Sequence, residues 1–213
     1  MTTGNHEEAA RAFDAIGAAY ERAFAGSAAH LDSLHRLLEH LPPHGRVLDV
    51  GSGTGRPTAL ALAGAGHEVL GVDVSPVMVE LASRQVPRAS FRCADIRELP
   101  LEAEDFDAVC VYFSLLQMSR AQQTELVGRL AGALKRGGHM VLATVPLDVE
   151  DVSAVFMGQR VRVTSFAPDA FAALATGAGL TVLSRQETLF TPDGPGAVPE
   201  PHLFLHCRRE TGR

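Results

Sequence analysis

Three glycines and two aspartates supply the first recognisable chemistry in this 213-residue chain. The run "VLDVGSGTG" places Gly51, Gly53 and Gly55 directly after an apolar stretch, with Asp49 two residues ahead of the first glycine. A strand that ends in glycines and feeds a helix presents backbone N–H groups and a helix N-terminus to a ligand, with no Cβ in the way. Asp73 closes the next apolar run, 22 residues beyond Gly51. In a doubly wound sheet an acid at that place lies across the crevice and accepts hydrogen bonds from both hydroxyls of a ribose. Glycines and acid together predict a site for a nucleoside-containing cofactor.

The spacing separates kinds of cofactor. The dinucleotide fingerprint G-x-G-x-x-G wants its third glycine at position 56, where this chain has Arg56; the glycine comes one residue earlier, at Gly55. Asp49 would repel a neighbouring pyrophosphate, yet suits an amino group or another cation. An NAD(P)-dependent oxidoreductase is therefore the disfavoured alternative, alongside a protein that keeps the cofactor as a sensor without catalysis.

The elements that must hold these residues follow from periodicity. Phe13, Ile16, Tyr20 and Phe24 recur at steps of three and four, predicting one helix over 6–25; Leu31, Leu34, Leu38 and Leu41 predict a second over 31–41. From 46 onward, short apolar runs at 46–50, 67–74, 89–95, 106–114 and 138–145 alternate with helical segments, the pattern of a parallel sheet built from βα units. Ser75 before Pro76, and Ser119 with Gln122, read as helix starts. A helix over about 167–178, opened by Pro168 and stopped by Gly179, precedes runs at 181–190 and 202–209. The Pro- and Gly-rich connection between those runs leaves no room for a crossover helix, so they form an antiparallel hairpin. The fold class expected is α/β: a Rossmann-like, doubly wound seven-stranded sheet with its last strand antiparallel, helices on both faces and an N-terminal helical lid. We expect one domain over 1–213, with a helical cap over 1–44, a cofactor-binding core over 45–146, an acceptor-side segment over 147–166, and the last helix and hairpin over 167–213.

Composition narrows the partners. A 46% hydrophobic, 21% charged chain is ordinary for a soluble globular protein. A net charge of −6 speaks against a broad phosphate-binding surface, and the pair Arg208-Arg209 reads as a solvated strand end. Cys93, Cys110 and Cys207 form no CxxC pair, so neither a zinc site nor a disulfide framework is signalled. The N-terminal residues lack a signal-peptide pattern and no run suffices to span a membrane, which leaves a cytoplasmic location expected.

"DVGSGTG" from Asp49 to Gly55 resembles the first motif of the class I S-adenosylmethionine-dependent methyltransferases, D/E-x-G-x-G-x-G. The leading helices, strand order and terminal hairpin are similar to that family over about 10–209. The resemblance implies S-adenosyl-L-methionine as cofactor, with Gly51, Gly53 and Gly55 admitting the backbone to its methionine and ribose parts. It implies that Asp73, followed by Val74, takes the ribose hydroxyls. In "CADIRELP", Asp95 would accept from the adenine amino group while Ile96 lines the ring; in "VYFSLLQM", Tyr112, Phe113 and Ser114 would lie near the reactive end. Tyr20 looks like the tyrosine that closes over the methionine carboxylate in that family.

A sulfonium methyl is already activated, so positioning and exclusion of water can carry methyl transfer with no acid or base. No catalytic residue is therefore assigned. A hydroxyl acceptor of high pKa would need a base, and His30, His202 and Tyr20 are unranked candidates. His202 and His206 share one face of a strand expected near a sheet edge, and His30, His35, His40 and His44 are spaced so as to spread around a helix; no metal site is expected. The acceptor side is expected among Phe113, Gln117, Phe156 and Arg160, where an apolar wall with a cation suits a small molecule. The activity expected is methyl transfer to an O or N atom of a small-molecule acceptor by a monomer or homodimer, with no nucleic acid and no membrane involved.

Overall fold

Each of the short apolar runs becomes a strand: β1 (Arg46–Val50), β2 (Glu68–Asp73), β3 (Ser90–Cys93), β4 (Phe106–Tyr112) and β5 (Leu134–Thr144). The computed structural model describes residues 3–194 and 196–211. Two further strands, β6 (Val152–Phe156) and β7 (Gln159–Val163), lie in the segment expected only to face the acceptor, and β8 (Leu180–Phe190) and β9 (Glu200–Arg209) form the terminal hairpin. Seven strands make one sheet in the order β3-β2-β1-β4-β5-β9-β8, and β6 and β7 make a separate antiparallel pair. β9 pairs antiparallel with both β5 and β8 and, among the described residues, is the one strand of the seven-stranded sheet that runs against the rest. It therefore lies one strand in from the edge strand β8, and His202 and His206, expected near an edge, are both buried.

β1 is parallel to β2 on one side and to β4 on the other, with Asp49 level with Gly71 and Cys110. The chain reverses its direction of winding there, and such a switch point opens a crevice at the carboxyl ends of the strands. Both faces of the sheet are covered. On β4, Val109 and Val111 join one core with Leu126 and Leu130, while Ala108, Cys110 and Tyr112 join the other with Leu34, Leu37 and Leu62. A strand buried on both faces reads as a continuous apolar run, which is why these segments show no polar alternation.

The helices are α1 (Thr3–Ile16), α2 (Ala18–Phe24), α3 (Ala28–Leu38), α4 (Thr58–Gly64), α5 (Pro76–Gln85), α6 (Arg120–Ala133) and α7 (Pro168–Gly177). Their caps agree with the sequence. The Ser75 hydroxyl accepts from the Met78 N–H at 3.1 Å, and Ser119 and Gln122 form both bonds of a capping box. The single helix expected over 6–25 is two, because Gly17 adopts φ +50° and breaks the run. The turn lets α1 and α2 bend over the carboxyl ends of the strands, with the Asp14 carboxylate of α1 accepting from the Ser75 hydroxyl at the start of α5.

Candidate functional site

The glycine turn between β1 and α4 is held from across the crevice. Asp73, at the end of β2, accepts from the Gly53 N–H through Oδ2 and from the Ser75 N–H through Oδ1, each at 2.9 Å. Burial pushes its carboxyl up, and the N–H donors of Ser75, Gly53 and Val74 pull it back. Gly51 stands at φ +69° with the place of a Cβ only 2.2 Å from the Ser114 Cβ, so no other residue fits. Gly55, at φ +79°, packs against Ala82, Val86 and Phe91; its conformation serves the helix and strand behind the turn.

Two adjoining cavities open on this turn and share Tyr20, Gly51, Gly53, Tyr112 and Phe113. The first is walled by Asp73, Val74, Met78, Asp95 and Ile96, with Phe13 of α1 above and Gln117 beside it. Ile96 is buried, and the Asp95 carboxylate is gripped through both oxygens by the Arg97 guanidinium while also accepting the Arg97 N–H. This is a largely apolar slot with two carboxylates in its wall, a polarity suited to a nucleoside.

The second cavity lies over the other side of the turn, against Asp49, Ser52, Thr54, His30 and His202. Asp49 is only 2% exposed; burial first, and then the Asp73 carboxylate, push its carboxyl up to about 7. Asp49 Oδ2, Ser52 Oγ, Thr54 Oγ1 and Ser114 Oγ are all buried with no hydrogen-bond partner among the described residues. Buried polar atoms rarely go unpaired, so four orphans around one glycine turn mark a place where a ligand completes the bonding. Two hydroxyls that can donate and a carboxylate that accepts match the carboxylate and ammonium of an amino acid.

An aromatic cluster adjoins both cavities, Phe13 and Tyr20 lining the first and Tyr20 and Phe24 the second. Phe13, Tyr20, Phe24 and Phe156 form a cluster with ring centroids 4.8 to 6.4 Å apart, which joins α1, α2 and the β6–β7 hairpin. Phe24 also stacks on Phe190. Tyr20 thus serves both the cluster and the cavities. The Tyr112 ring lies 3.9 Å from His30, its hydroxyl bonded to Ser33, and burial pushes that hydroxyl well up. Phe113, at φ +58°, turns its ring onto His202 at 4.5 Å.

Of the residues expected from sequence, Tyr20, Asp49, Gly51, Gly53, Asp73, Val74, Asp95, Ile96, Tyr112, Phe113 and Gln117 all line one or both cavities. Gly55, Phe156 and Arg160 line neither, although the Phe156 ring packs on Phe13, Tyr20 and Phe24. Arg160 lies opposite Val155 on the hairpin, and both side chains face solvent. Sequence reasoning missed Ser52, Thr54, Thr58 and Glu200, polar residues with no spacing signal of their own. Arg209, expected to be solvated, donates to the Gly132 carbonyl and pairs with Glu104. Among the described residues no group of His, Cys, Asp or Glu is arranged to hold a metal ion, and no helix is long and apolar enough to cross a membrane.

Residues 47–138 match the model of a methyltransferase domain. Methyltransferase GfsG of Streptomyces halstedii is 30% identical over 195 residues, covering 85% of this chain and 69% of GfsG. The biotin biosynthesis bifunctional protein BioHC of Cellvibrio japonicus is 36% identical over 114 residues, so this match takes in 52% of the chain and only 22% of that longer protein. Among solved structures, 1,6-didemethyltoxoflavin-N1-methyltransferase of Burkholderia thailandensis, with 1,6-didemethyltoxoflavin and S-adenosylhomocysteine bound, superposes with a TM-score of 0.72 at 24% identity. It covers 99% of this chain and 92% of its own.

Proposed function

Because the chain belongs to the S-adenosylmethionine-dependent methyltransferases, we propose that it transfers the methyl group of S-adenosyl-L-methionine to an oxygen or nitrogen of a small-molecule acceptor. The observation that carries the reading is the ring of unpaired buried polar atoms, Asp49, Ser52, Thr54 and Ser114, set beside a nucleoside-shaped slot. Asp73 would hold the ribose hydroxyls, Asp95 and Ile96 the adenine, and Asp49, Ser52 and Thr54 the amino-acid end. Bound there, the cofactor supplies an electrophilic methyl group on a positively charged sulfur. Asp49 neutralises positive charge on its side of the turn, and Tyr112 and Phe113 form the wall between the cavities. The aromatic lid of Phe13, Tyr20, Phe24 and Phe156 excludes water and holds the acceptor against the turn, which supplies rate by orientation.

A small acceptor is supported by the enclosed aromatic cover and by the acidic charge balance, which offers no track for nucleic acid. The reading extends to a cytoplasmic enzyme acting as a monomer or homodimer, which sedimentation and cell fractionation would test. The glycine spacing and the family match leave the nicotinamide alternative without support. Mass spectrometry of the purified protein for retained S-adenosylmethionine or S-adenosylhomocysteine, then transfer of a labelled methyl group to a panel of small acceptors, tests the proposal. A protein that binds neither compound refutes it.

A further inference from the structure

Within the second cavity, the first buried residue of the antiparallel strand carries an unfinished hydrogen-bond pattern. His202 is 1% exposed, its ring wedged between Phe113 at 4.5 Å and Phe190 at 5.3 Å. Nε2 lies 2.8 Å from Glu200 Oε1, whereas Nδ1 is buried with no hydrogen-bond partner among the described residues. With the carboxylate taking the Nε2–H, the neutral ring is held in the tautomer whose Nδ1 is a bare acceptor. A carboxylate that fixes an imidazole and leaves its other nitrogen free at a ligand cavity is an arrangement for removing a proton.

Of the other titratable groups lining the cavity, Asp49 is given above to the amino-acid end of the cofactor, Glu21 accepts from Gln85 and pairs with Arg56, and the Tyr112 hydroxyl is bonded to Ser33, which leaves His30 and Tyr20. His30 Nε2 shares a hydrogen bond with Thr58 Oγ1 at 3.1 Å, and burial together with His202 pushes its pKa down to about 3. Burial pushes the Tyr20 hydroxyl up, so it stays protonated and has no oxyanion to offer. A neutral amine attacks a methyl group with its own lone pair, whereas an ordinary hydroxyl must lose its proton. We propose that His202 is the general base of an O-methyltransferase, that Glu200 positions it, and that the acceptor is therefore a phenol or alcohol. The inference rests on the methyl-transfer reading above.

In that step the acceptor oxygen forms its bond to the methyl carbon while its proton moves to His202 Nδ1. The electron pair of the breaking C–S bond stays on sulfur. A methyl ether, S-adenosylhomocysteine and an imidazolium result; Glu200 balances the imidazolium charge until the proton passes to water.

The test combines labelled-methyl transfer to phenols, alcohols, amines and thiols with a nitrogen-15 imidazole spectrum of the whole protein. Label is expected on the hydroxyl compounds. His202→Gln should lower kcat by about 100-fold or more with acceptor KM and calorimetric cofactor affinity unchanged. Glu200→Gln keeps the ring and should lose about tenfold, roughly 1.4 kcal/mol. The wild-type spectrum should show His202 with Nε2 protonated and Nδ1 bare, and Glu200→Gln should mix the tautomers. Label on amines or thiols alone, full O-transfer by His202→Gln, or a protonated Nδ1 in the wild type overturns the assignment. Where the cofactor binds and no compound is labelled, the spectrum decides. Failure to bind the cofactor at all refutes the methyl-transfer reading instead.

Discussion

Asp73 Oδ2 accepts a hydrogen bond from the Gly53 N–H across the crevice between two parallel strands, so the acid expected to hold a ribose also sets the shape of the glycine turn. If Asp73 holds the ribose as proposed, cofactor affinity and the local fold are coupled through one carboxylate. Its neighbours on the turn carry the same double duty, which makes several outcomes predictable.

Gly51→Ala should be among the most damaging single changes at the site. A non-glycine residue at φ +69° costs about 1–2 kcal/mol, and the methyl would meet the Ser114 Cβ at 2.2 Å, adding about 1–3 kcal/mol for overpacking. Thermal unfolding should show a fall of several degrees, with cofactor binding lost in calorimetry. Pairing it with Ser114→Gly should recover part of the stability.

Asp49→Asn should stabilise the unliganded protein above neutral pH. Burial raises the native pKa to about 7 from the ordinary 3.8, so the native state binds more protons than the unfolded chain between those values. The contribution is full below about pH 3.8, falls as pH rises, and is lost above pH 7, at about 1.4 kcal/mol per pKa unit. The melting temperature of the variant relative to wild type should rise from pH 5 to pH 8 in the absence of cofactor. A constant difference would contradict the account.

His139 and His206 should give the opposite slope. His139 Nδ1 and His206 Nε2 are 2.9 Å apart in the interior, the His40 ring stacks on His139, and burial is the main cause that lowers both pKa values to about 4. The unfolded chain binds more protons between about pH 4 and 6.5, so their contribution is present above 6.5 and is lost as pH falls through 4. A double variant, His139→Asn with His206→Gln, should flatten the acid side of the wild-type melting profile between pH 7 and 4.5.

Phe156→Ala and Arg160→Ala should separate, although both residues lie on one hairpin. Phe156 packs within 6.4 Å of Phe13, Tyr20 and Phe24, so its loss opens the lid and should raise acceptor KM by an order of magnitude. Arg160 faces solvent opposite Val155, which is 74% exposed, and its loss should leave that KM unchanged. Steady-state kinetics with any acceptor the wild type methylates would check both.

The residues of the glycine turn and the first cavity are legible in the sequence because their signals are local. Glycines at a strand end, an acid one strand later and Ser-Pro at a helix start each report their own backbone conformation. The proposed acceptor side is not, since it is made by long-range packing: Phe156 packs on α2 from the β6–β7 pair, and Glu200 meets His202 because β9 starts two residues earlier than its apolar run shows. Gly17, a single residue inside an otherwise periodic stripe, split a helix that the pattern alone joins. The full burial of His202 does not show in the sequence, because adjacency in a hairpin does not say which of its two strands lies inside the sheet. Gly55 fitted the motif while facing the packing behind the turn, a distinction that spacing does not carry.

The most direct measurement is calorimetric titration of S-adenosyl-L-methionine into the wild type and Asp73→Ala. The account predicts one-to-one binding by the wild type and affinity weakened tenfold or more in the variant, because each hydrogen bond to a charged group that is lost is worth about 1.5–3 kcal/mol. Equal affinity in the two proteins, or no binding by the wild type, would contradict it.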